Sequence, residues 1–327
     1  MVELRRILLT LTLCAAAAQA AFADVDDAVA RELTRLDALY TRLAATTIAA
    51  PFNEVVPGYQ PLLERLKNTR AADLRLYRMR DAFTGLEAMA FYVEHETATM
   101  EDVQKLWNER RGRFESNAAP SSGALLQLAL AQAARNRAQV LFKASLPYGK
   151  ADGPKSGIYY MGEAEGQLAY AKFVESLPFP RSETAKRPTA AALAAAIDAL
   201  DTESIALFEK APTERTAIPS SALLKEAREL VARGWVEAAT FTMLEARFDL
   251  TRRQTTKNES AKAAGASARD TIEGLWLSAS RESERGDAIV AGVLPFYQTL
   301  LTAKPAARTA AASVRPLTIT LIRWPYT

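Results

Sequence analysis

Polar side chains that could bind a ligand recur at helical spacing in the segment 159–173 (YYMGEAEGQLAYAKF). Residues three and four positions apart lie on the same face of a helix, so four of these side chains form one stripe. The stripe consists of Tyr159, Glu163, Gln167 and Tyr170. These four residues are our candidate ligand-binding site. The interpretation we favour is a buried network in which tyrosine hydroxyls satisfy the carboxylate.

Two glycines lie beside this stripe in the same predicted helix. Gly162 and Gly166 share a face with Ala169 and Phe173. A glycine inside a helix costs about 1 kcal/mol relative to alanine, so two of them require a compensating contact. Close approach of a neighbouring helix is the ordinary compensation. The pattern therefore predicts tight packing along this face.

Residue types that bind metals or attack substrates are scarce. His95 is the only histidine and Cys14 is the only cysteine. Metal sites built on two histidines, including HExxH, are therefore excluded, and no disulfide can form within the chain. The nucleotide-binding glycine loops, the EF-hand loop and the G-x-S-x-G turn are absent from the sequence. We predict no cofactor and no metal, and we interpret His95 as a surface residue.

One glutamate has neighbours that suggest glycan chemistry. Glu115-Ser116, followed by Gly123-Ala-Leu-Leu-Gln127, resembles the Glu-Ser and Gly-Leu-Met-Gln elements of lytic transglycosylases. The resemblance implies a cell-wall glycan-cleaving enzyme in which Glu115 is the acid/base. The spacing from Glu115 to Gln127 is shorter here than in that family. An accidental similarity at the start of a capped helix is the other interpretation.

The first residues have the pattern of a secretory signal peptide. Arg5 and Arg6 precede an apolar run at 7–18, and the small-x-small site at 21–23 is followed by Asp24. The apolar run is too short for a stable membrane anchor. We therefore predict cleavage after Ala23 and a periplasmic or secreted product with no transmembrane anchor.

The composition is that of a helical globular protein with a substantial core. Apolar residues make up 49% of the 327 residues, only 14 are glycine, and alanine is abundant. Alanine is the strongest helix former, so this composition favours helix over sheet. The formal net charge of +3 is too small to indicate a nucleic-acid partner, because such proteins concentrate basic charge on one face.

The stretch 220–251 is the clearest helical hairpin in the chain. Two apolar-periodic helices are separated by Gly234, and we expect Ser220 to cap the first. The hairpin resembles one tetratricopeptide-type repeat at Leu223, Ala227, Leu230, Gly234, Ala239 and Ala246. The match covers one repeat, and no second copy recurs at a fixed period. The resemblance implies stacked helix pairs with a concave surface that binds proteins or peptides.

The remaining periodic segments predict an all-α fold of antiparallel helix pairs, arranged as an array or a bundle. The prolines and glycines of 147–154 predict a loop, and 252–268 is polar and predicts another. Residues 317–322 alternate like a strand, so we expect a short extended or β segment at the C-terminus. The predicted divisions are a signal peptide (1–23), an N-terminal helical half (24–177), a linker (178–188), a C-terminal helical half (189–303) and an extended tail (304–327).

These observations predict an exported bacterial cell-envelope protein. Its expected role is a non-catalytic scaffold that binds a protein or peptide partner. The alternatives are a glycan-cleaving enzyme using Glu115 and a small-molecule binder using the stripe on 159–170. The sequence identifies neither the partner nor the oligomeric state.

Overall fold

The computed structural model describes residues 24–49, 52–69, 72–115, 125–179 and 189–257. Every regular element in these ranges is a helix, which confirms the predicted fold class. The elements are α1 (24–44), a 3-10 turn (Pro57–Tyr59), α2 (Gln60–Asn68), α3 (Ala72–Glu94), α4 (Met100–Glu115), α5 (Leu125–Asp152), α6 (Pro154–Ser176), α7 (Ala190–Leu207), α8 (Pro212–Thr216), α9 (Pro219–Ala232) and α10 (Val236–Lys257). None of the helices in these ranges has the length and apolar character needed to span a membrane.

The described residues form two compact units. The first comprises those of Met1–Thr184 together with Leu230–Ala239. The second comprises those of Ala185–Glu229 and Thr240–Thr327. Most of the predicted linker at 178–188 lies outside the described residues. The signal peptide and the C-terminal strand also lie outside them, so all three stay predictions.

In the first unit, α6 runs antiparallel to both α3 and α5. The start of α5 meets the end of α6, where the Gln127 amide donates to the carbonyl oxygens of Val174 and Leu177, each at 2.9 Å. The end of α6 meets the start of α3, where the Tyr170 hydroxyl donates to the Leu76 carbonyl at 3.0 Å. The helix pairs therefore alternate in direction, as predicted.

Helix α4 lies antiparallel to α5. Its first residue, Met100, packs near Gly149 at the end of α5. Further along, the Trp107 indole donates to the Phe142 carbonyl at 3.2 Å, and the two rings stack with centroids 5.4 Å apart. Helices α3 to α6 thus form a four-helix core with an up-down-up-down path.

The loop predicted at 147–154 is wrong over most of its length, because α5 continues through Pro147 to Asp152. Proline removes one hydrogen bond of the helix, but packing against α4 and α6 holds the surrounding turns. The chain reverses at Gly153 alone, whose φ of +96° is a conformation that favours glycine. Pro154 then begins α6 in a first-turn position that proline tolerates.

In the second unit, ion pairs join the helices to α7. Arg228 of α9 binds Asp198 at 3.0 Å and Asp201 at 2.8 Å. Arg247 of α10 pairs with Glu203. Beneath these surface pairs, α7 buries Leu193, Ile197 and Leu200 on its inner side.

The predicted hairpin is present as α9 and α10, with Gly234 at the turn. Gly234 has a φ of +75°. The Trp235 N–H donates to the Leu230 carbonyl and the Gly234 N–H donates to the Val231 carbonyl, both at 2.9 Å. This pair of bonds is a Schellman motif, which ends a helix on a left-handed glycine. The tetratricopeptide resemblance stays a prediction.

Two local predictions about this hairpin need correction. Helix α9 begins at Pro219, so Ser220 lies inside its first turn. The Asp249 carboxylate accepts the Ser220 N–H at 3.2 Å, and thus a side chain from α10 satisfies the helix start. The loop predicted at 252–268 is wrong for 252–257, because α10 continues to Lys257, and the rest of it lies outside the described residues.

Candidate functional site

The candidate site lies on α6, where the two glycines bring this helix unusually close to α3. A Cβ built on Gly162 would lie 2.8 Å from the Cα of Ala88. A Cβ on Gly166 would lie 2.8 Å from the Cα of Thr84 and from the carbonyl oxygen of Phe83. These are backbone atoms, which cannot move aside as a flexible side chain does. The glycines therefore permit the close helix packing that the sequence predicts.

All four side chains of the predicted stripe lie in the interior of the first unit. Their relative exposures are 3% for Tyr159, 5% for Glu163, 4% for Gln167 and 0% for Tyr170. The Gln167 amide donates to the Thr84 hydroxyl at 2.8 Å, and the Tyr170 hydroxyl donates to the α3 backbone. Two of the four thus tie α6 to α3.

Glu163 is the most unusual residue of the stripe because its carboxyl group is enclosed. Burial raises the pKa of Glu163 from 4.5 to about 7. The charge of Arg137 on α5 and a hydrogen bond from the Tyr159 hydroxyl both oppose this rise, but they do not cancel it. A carboxyl group with such a pKa exchanges its proton near neutral pH, which is the property required of a general acid or base.

A short segment (residues 52–59, hereafter the covering segment) packs against Tyr159, the residue that donates a hydrogen bond to this acid. The Phe52 ring stacks on the Tyr159 ring with centroids 4.5 Å apart, and its edge meets Tyr92 at 4.9 Å. At the other end of the segment, the Tyr59 hydroxyl occupies the space beside Gly85 that a Cβ would fill. Burial raises the pKa of Tyr59, and the charge of Glu163 raises it further. Glu163 is therefore buried, with the covering segment packed on the Tyr159 ring beside it.

Several groups in this cluster have no signal in the sequence. Phe52 and Tyr59 come from an irregular, proline-rich stretch, and Arg137 lies in a predicted helix without any special spacing. Their proximity to Glu163 arises from tertiary packing alone. Gly85 of α3 is the one residue here whose type indicates close packing, because a glycine inside a helix needs a compensating contact.

Two buried polar atoms in or near the stripe have no hydrogen-bond partner in the described part of the chain. They are the Gln167 carbonyl oxygen, Oε1, and the Tyr92 hydroxyl. Buried polar atoms nearly always form a hydrogen bond. Each one that lacks a partner lowers the stability of the fold. The polar character of this interior is therefore not fully explained by internal hydrogen bonding.

The two residues on which the transglycosylase resemblance depends, Glu115 and Gln127, lie in different environments and have different partners. Glu115 ends α4 at an exposed position and pairs with Arg111 at 2.6 Å. The Gln127 side chain is buried, and its amide binds carbonyl groups at the end of α6. Gln127 thus completes a helix terminus. These contacts give the glycan-cleaving alternative no support.

His95 lies at the end of α3, beside an open groove of about 290 Å³ between α3 and α4. The groove is lined by Glu94, His95, Thr97, Ala98, Asp102, Lys105, Leu106 and Glu109. The His95 ring packs edge-on against Phe91 at 4.5 Å. Within the described ranges, no group of three or more histidine, cysteine or acidic residues is arranged to hold a metal ion.

Comparisons of the chain with protein-family models, with curated proteins and with solved structures each found no match. A functional proposal therefore depends on the chemistry and geometry of the chain itself.

Proposed function

We propose that this protein is an exported, non-catalytic component of the bacterial cell envelope that binds another protein or a peptide through its helical surface. The export component of the proposal depends on the signal-peptide pattern at 1–23. The binding component depends on one surface of the second unit, the outward face of α7.

The outward face of α7 is dominated by alanine, although Asp198 and Thr202 are exposed on the same face. Its exposed positions include Ala191, Ala192, Ala195, Ala196, Ala199 and Ala206. Exposed helix faces in globular proteins are usually rich in charged residues. Asp198 is exposed among these alanines and pairs with Arg228. Asp201 and Glu203 lie to either side, where arginines pair with them.

The spacing of these alanines suits a helical partner. Ala191, Ala195 and Ala199 recur at intervals of four, so they lie along one line of the helix surface. Small side chains on such a line allow a second helix to approach closely. Beside them Ile205 is 50% exposed, the one large hydrophobic side chain exposed to this degree in the described ranges. We infer that the occupant is an apolar helix face of an envelope protein.

The interior supports the non-catalytic component of the proposal. The polar side chains that first suggested chemistry hold helices together, as Gln167 and Tyr170 do between α6 and α3. Glu115 and Gln127, the two residues of the enzyme alternative, have separate partners. These contacts are therefore accounted for by the stability of the fold, without a catalytic role.

Site-specific photo-crosslinking tests the proposal. A photoreactive side chain at position 195 should crosslink to a defined envelope protein, and the same group at Ala222 of α9 should not. Ala222 is the matched control because it is also an exposed alanine of the second unit.

A substitution series then measures the interaction. Ala195→Glu should weaken binding of the identified partner at least roughly tenfold, a change of about 1.4 kcal/mol, without lowering the melting temperature. Ala222→Glu should leave binding unchanged. Equal crosslinking at both positions, or equal effects of both substitutions, would remove the basis for assigning the partner site to α7.

A further inference from the structure

We propose that the proton on Glu163 controls whether the covering segment (residues 52–59) packs against α3 and α6. Neutral Glu163 favours the packed segment, and ionised Glu163 favours its release. This inference concerns the first unit only, and it is independent of the binding role proposed for α7.

The packed segment is linked to the carboxyl group through Tyr159. Phe52 stacks on Tyr159, which is the residue that donates a hydrogen bond to Glu163. Tyr59 acts on the same carboxyl group from the other end of the segment, because the charge of Glu163 affects the Tyr59 hydroxyl. Phe52 and Val56 are 5% and 2% exposed, so both are held in the interior. Release of this segment would admit water to Glu163.

The charged and titratable groups around Glu163 come from each element packed near it. Tyr59 belongs to the covering segment, Arg137 to α5, and Tyr159 and Tyr160 to α6. From α3, Asp81 acts on the Tyr59 hydroxyl. The three tyrosines hold their protons at neutral pH, because burial and the charge of Glu163 raise the pKa of each hydroxyl.

Arg137 is therefore the one cation that acts on Glu163 in this set, and it does not offset the loss of hydration. An ionised carboxylate in this position lacks the water that a charge requires. Opening the covering segment supplies that water, so each step of ionisation favours the open arrangement. By linkage, a group that binds its proton more tightly in the closed arrangement shifts the population towards closed as the pH falls.

Hydrogen exchange measured by mass spectrometry on the mature chain tests this coupling. After correction for the intrinsic pH dependence of exchange, protection of peptides covering 52–59 should fall by roughly tenfold or more between pH 5.5 and pH 8. In Glu163→Gln, which keeps the shape without the charge, that fall should disappear. Peptides from α5 (Leu125–Asp152) should keep their protection throughout.

Three further variants test whether the pH response depends on Glu163 and on the packing of the covering segment. Glu165→Gln, on the same helix but paired with Arg110 and Arg113, should leave the pH response of 52–59 as in wild type. Gly85→Ala places a methyl group where the Tyr59 hydroxyl lies, so the segment should exchange rapidly at both pH values. Tyr159→Phe removes a hydrogen bond that favours the ionised carboxylate, so the transition should move to higher pH.

The results that support the proposal and those that contradict it differ in which peptides and which variants respond to pH. A pH response confined to 52–59, abolished in Glu163→Gln and shifted upwards in Tyr159→Phe, supports the proposal. If Glu163→Gln does not fold, the proposal is tested by whether Tyr159→Phe moves the transition to higher pH, and an unshifted transition contradicts it. A wild-type response that is absent, that persists in Glu163→Gln, or that appears equally in α5 overturns it.

Discussion

Replacing Gly166 with alanine should destabilise the protein, although the same change in an ordinary helix is stabilising. The added Cβ would lie 2.8 Å from the Phe83 carbonyl oxygen and from the Thr84 Cα, both on the backbone of α3. Comfortable contact between such atoms requires roughly 3.5 Å or more. Helices α3 and α6 would therefore have to move apart by roughly 0.5 Å or more where they are closest.

The magnitude follows from two opposing effects. Alanine is favoured over glycine inside a helix by about 1 kcal/mol. Overpacking of a close contact costs about 1–3 kcal/mol, and separation of the helices would also lengthen the bond from Gln167 to Thr84, now 2.8 Å. Because the clash involves backbone on both sides, we expect the upper part of that range. The net loss in the free energy of unfolding should be about 1–2 kcal/mol.

Gly112 provides a matched control within the same unit. It lies inside α4 at an exposed position, and a Cβ built there meets nothing within 4 Å. Gly112→Ala should therefore raise the free energy of unfolding by about 1 kcal/mol. Urea denaturation followed by circular dichroism gives both values. If Gly166→Ala proves as stable as wild type or more so, then the inferred close packing of α3 on α6 is incorrect.

The other predictions concern individual side chains. Glu163 binds its proton more tightly in the folded protein than in the unfolded chain, so the free energy of unfolding should fall as pH rises from 4.5 to about 7, by about 3 kcal/mol in total. Denaturation series at several pH values should show this fall in wild type but not in Glu163→Gln. Asp249→Ala removes the acceptor at the start of α9 and should cost about 1 kcal/mol in urea denaturation; no loss would contradict the capping role. Gln127→Leu leaves carbonyl groups at the end of α6 without their donor and should cost about 1–3 kcal/mol, whereas Glu115→Gln breaks an exposed ion pair and should change stability by less than about 1 kcal/mol. Equal effects from the last two would show that Gln127 has no structural role.

The helices and their main turn follow from local sequence. Helical spacing predicted the helix that contains 159–173 and the α9–α10 pair, and Gly234 marked a turn at which its φ is +75°. Each of these features is determined by residues near one another in the chain. Pro147 shows the limit of that approach, because the local helix-breaking tendency is overcome by the packing of α5 on its neighbours.

The candidate site also combines features that local sequence predicts with features that only tertiary packing determines. Helical spacing placed Tyr159, Glu163, Gln167 and Tyr170 on one stripe, and the two adjacent glycines predicted a close neighbour. Spacing does not reveal which element that neighbour is. The covering segment reaches Glu163 from far along the chain, through a path of irregular backbone. Its arrival depends on loop geometry and on the space left open at Gly85, neither of which has a periodic pattern.

The presence of a carboxyl group at position 163 is itself informative. Folding alone gives no reason for it, because an apolar residue of similar volume, such as methionine, would fill the space without a charge to remove from water. The nearest opposite charge, on Arg137, does not restore the ordinary pKa. A hydrogen bond to Tyr159 does not require a glutamate either, since a glutamine oxygen would accept the same proton. What glutamate adds over both substitutes is a proton exchanged near neutral pH. That property suits an arrangement that responds to proton concentration, and the covering segment is the part of the described structure placed to respond.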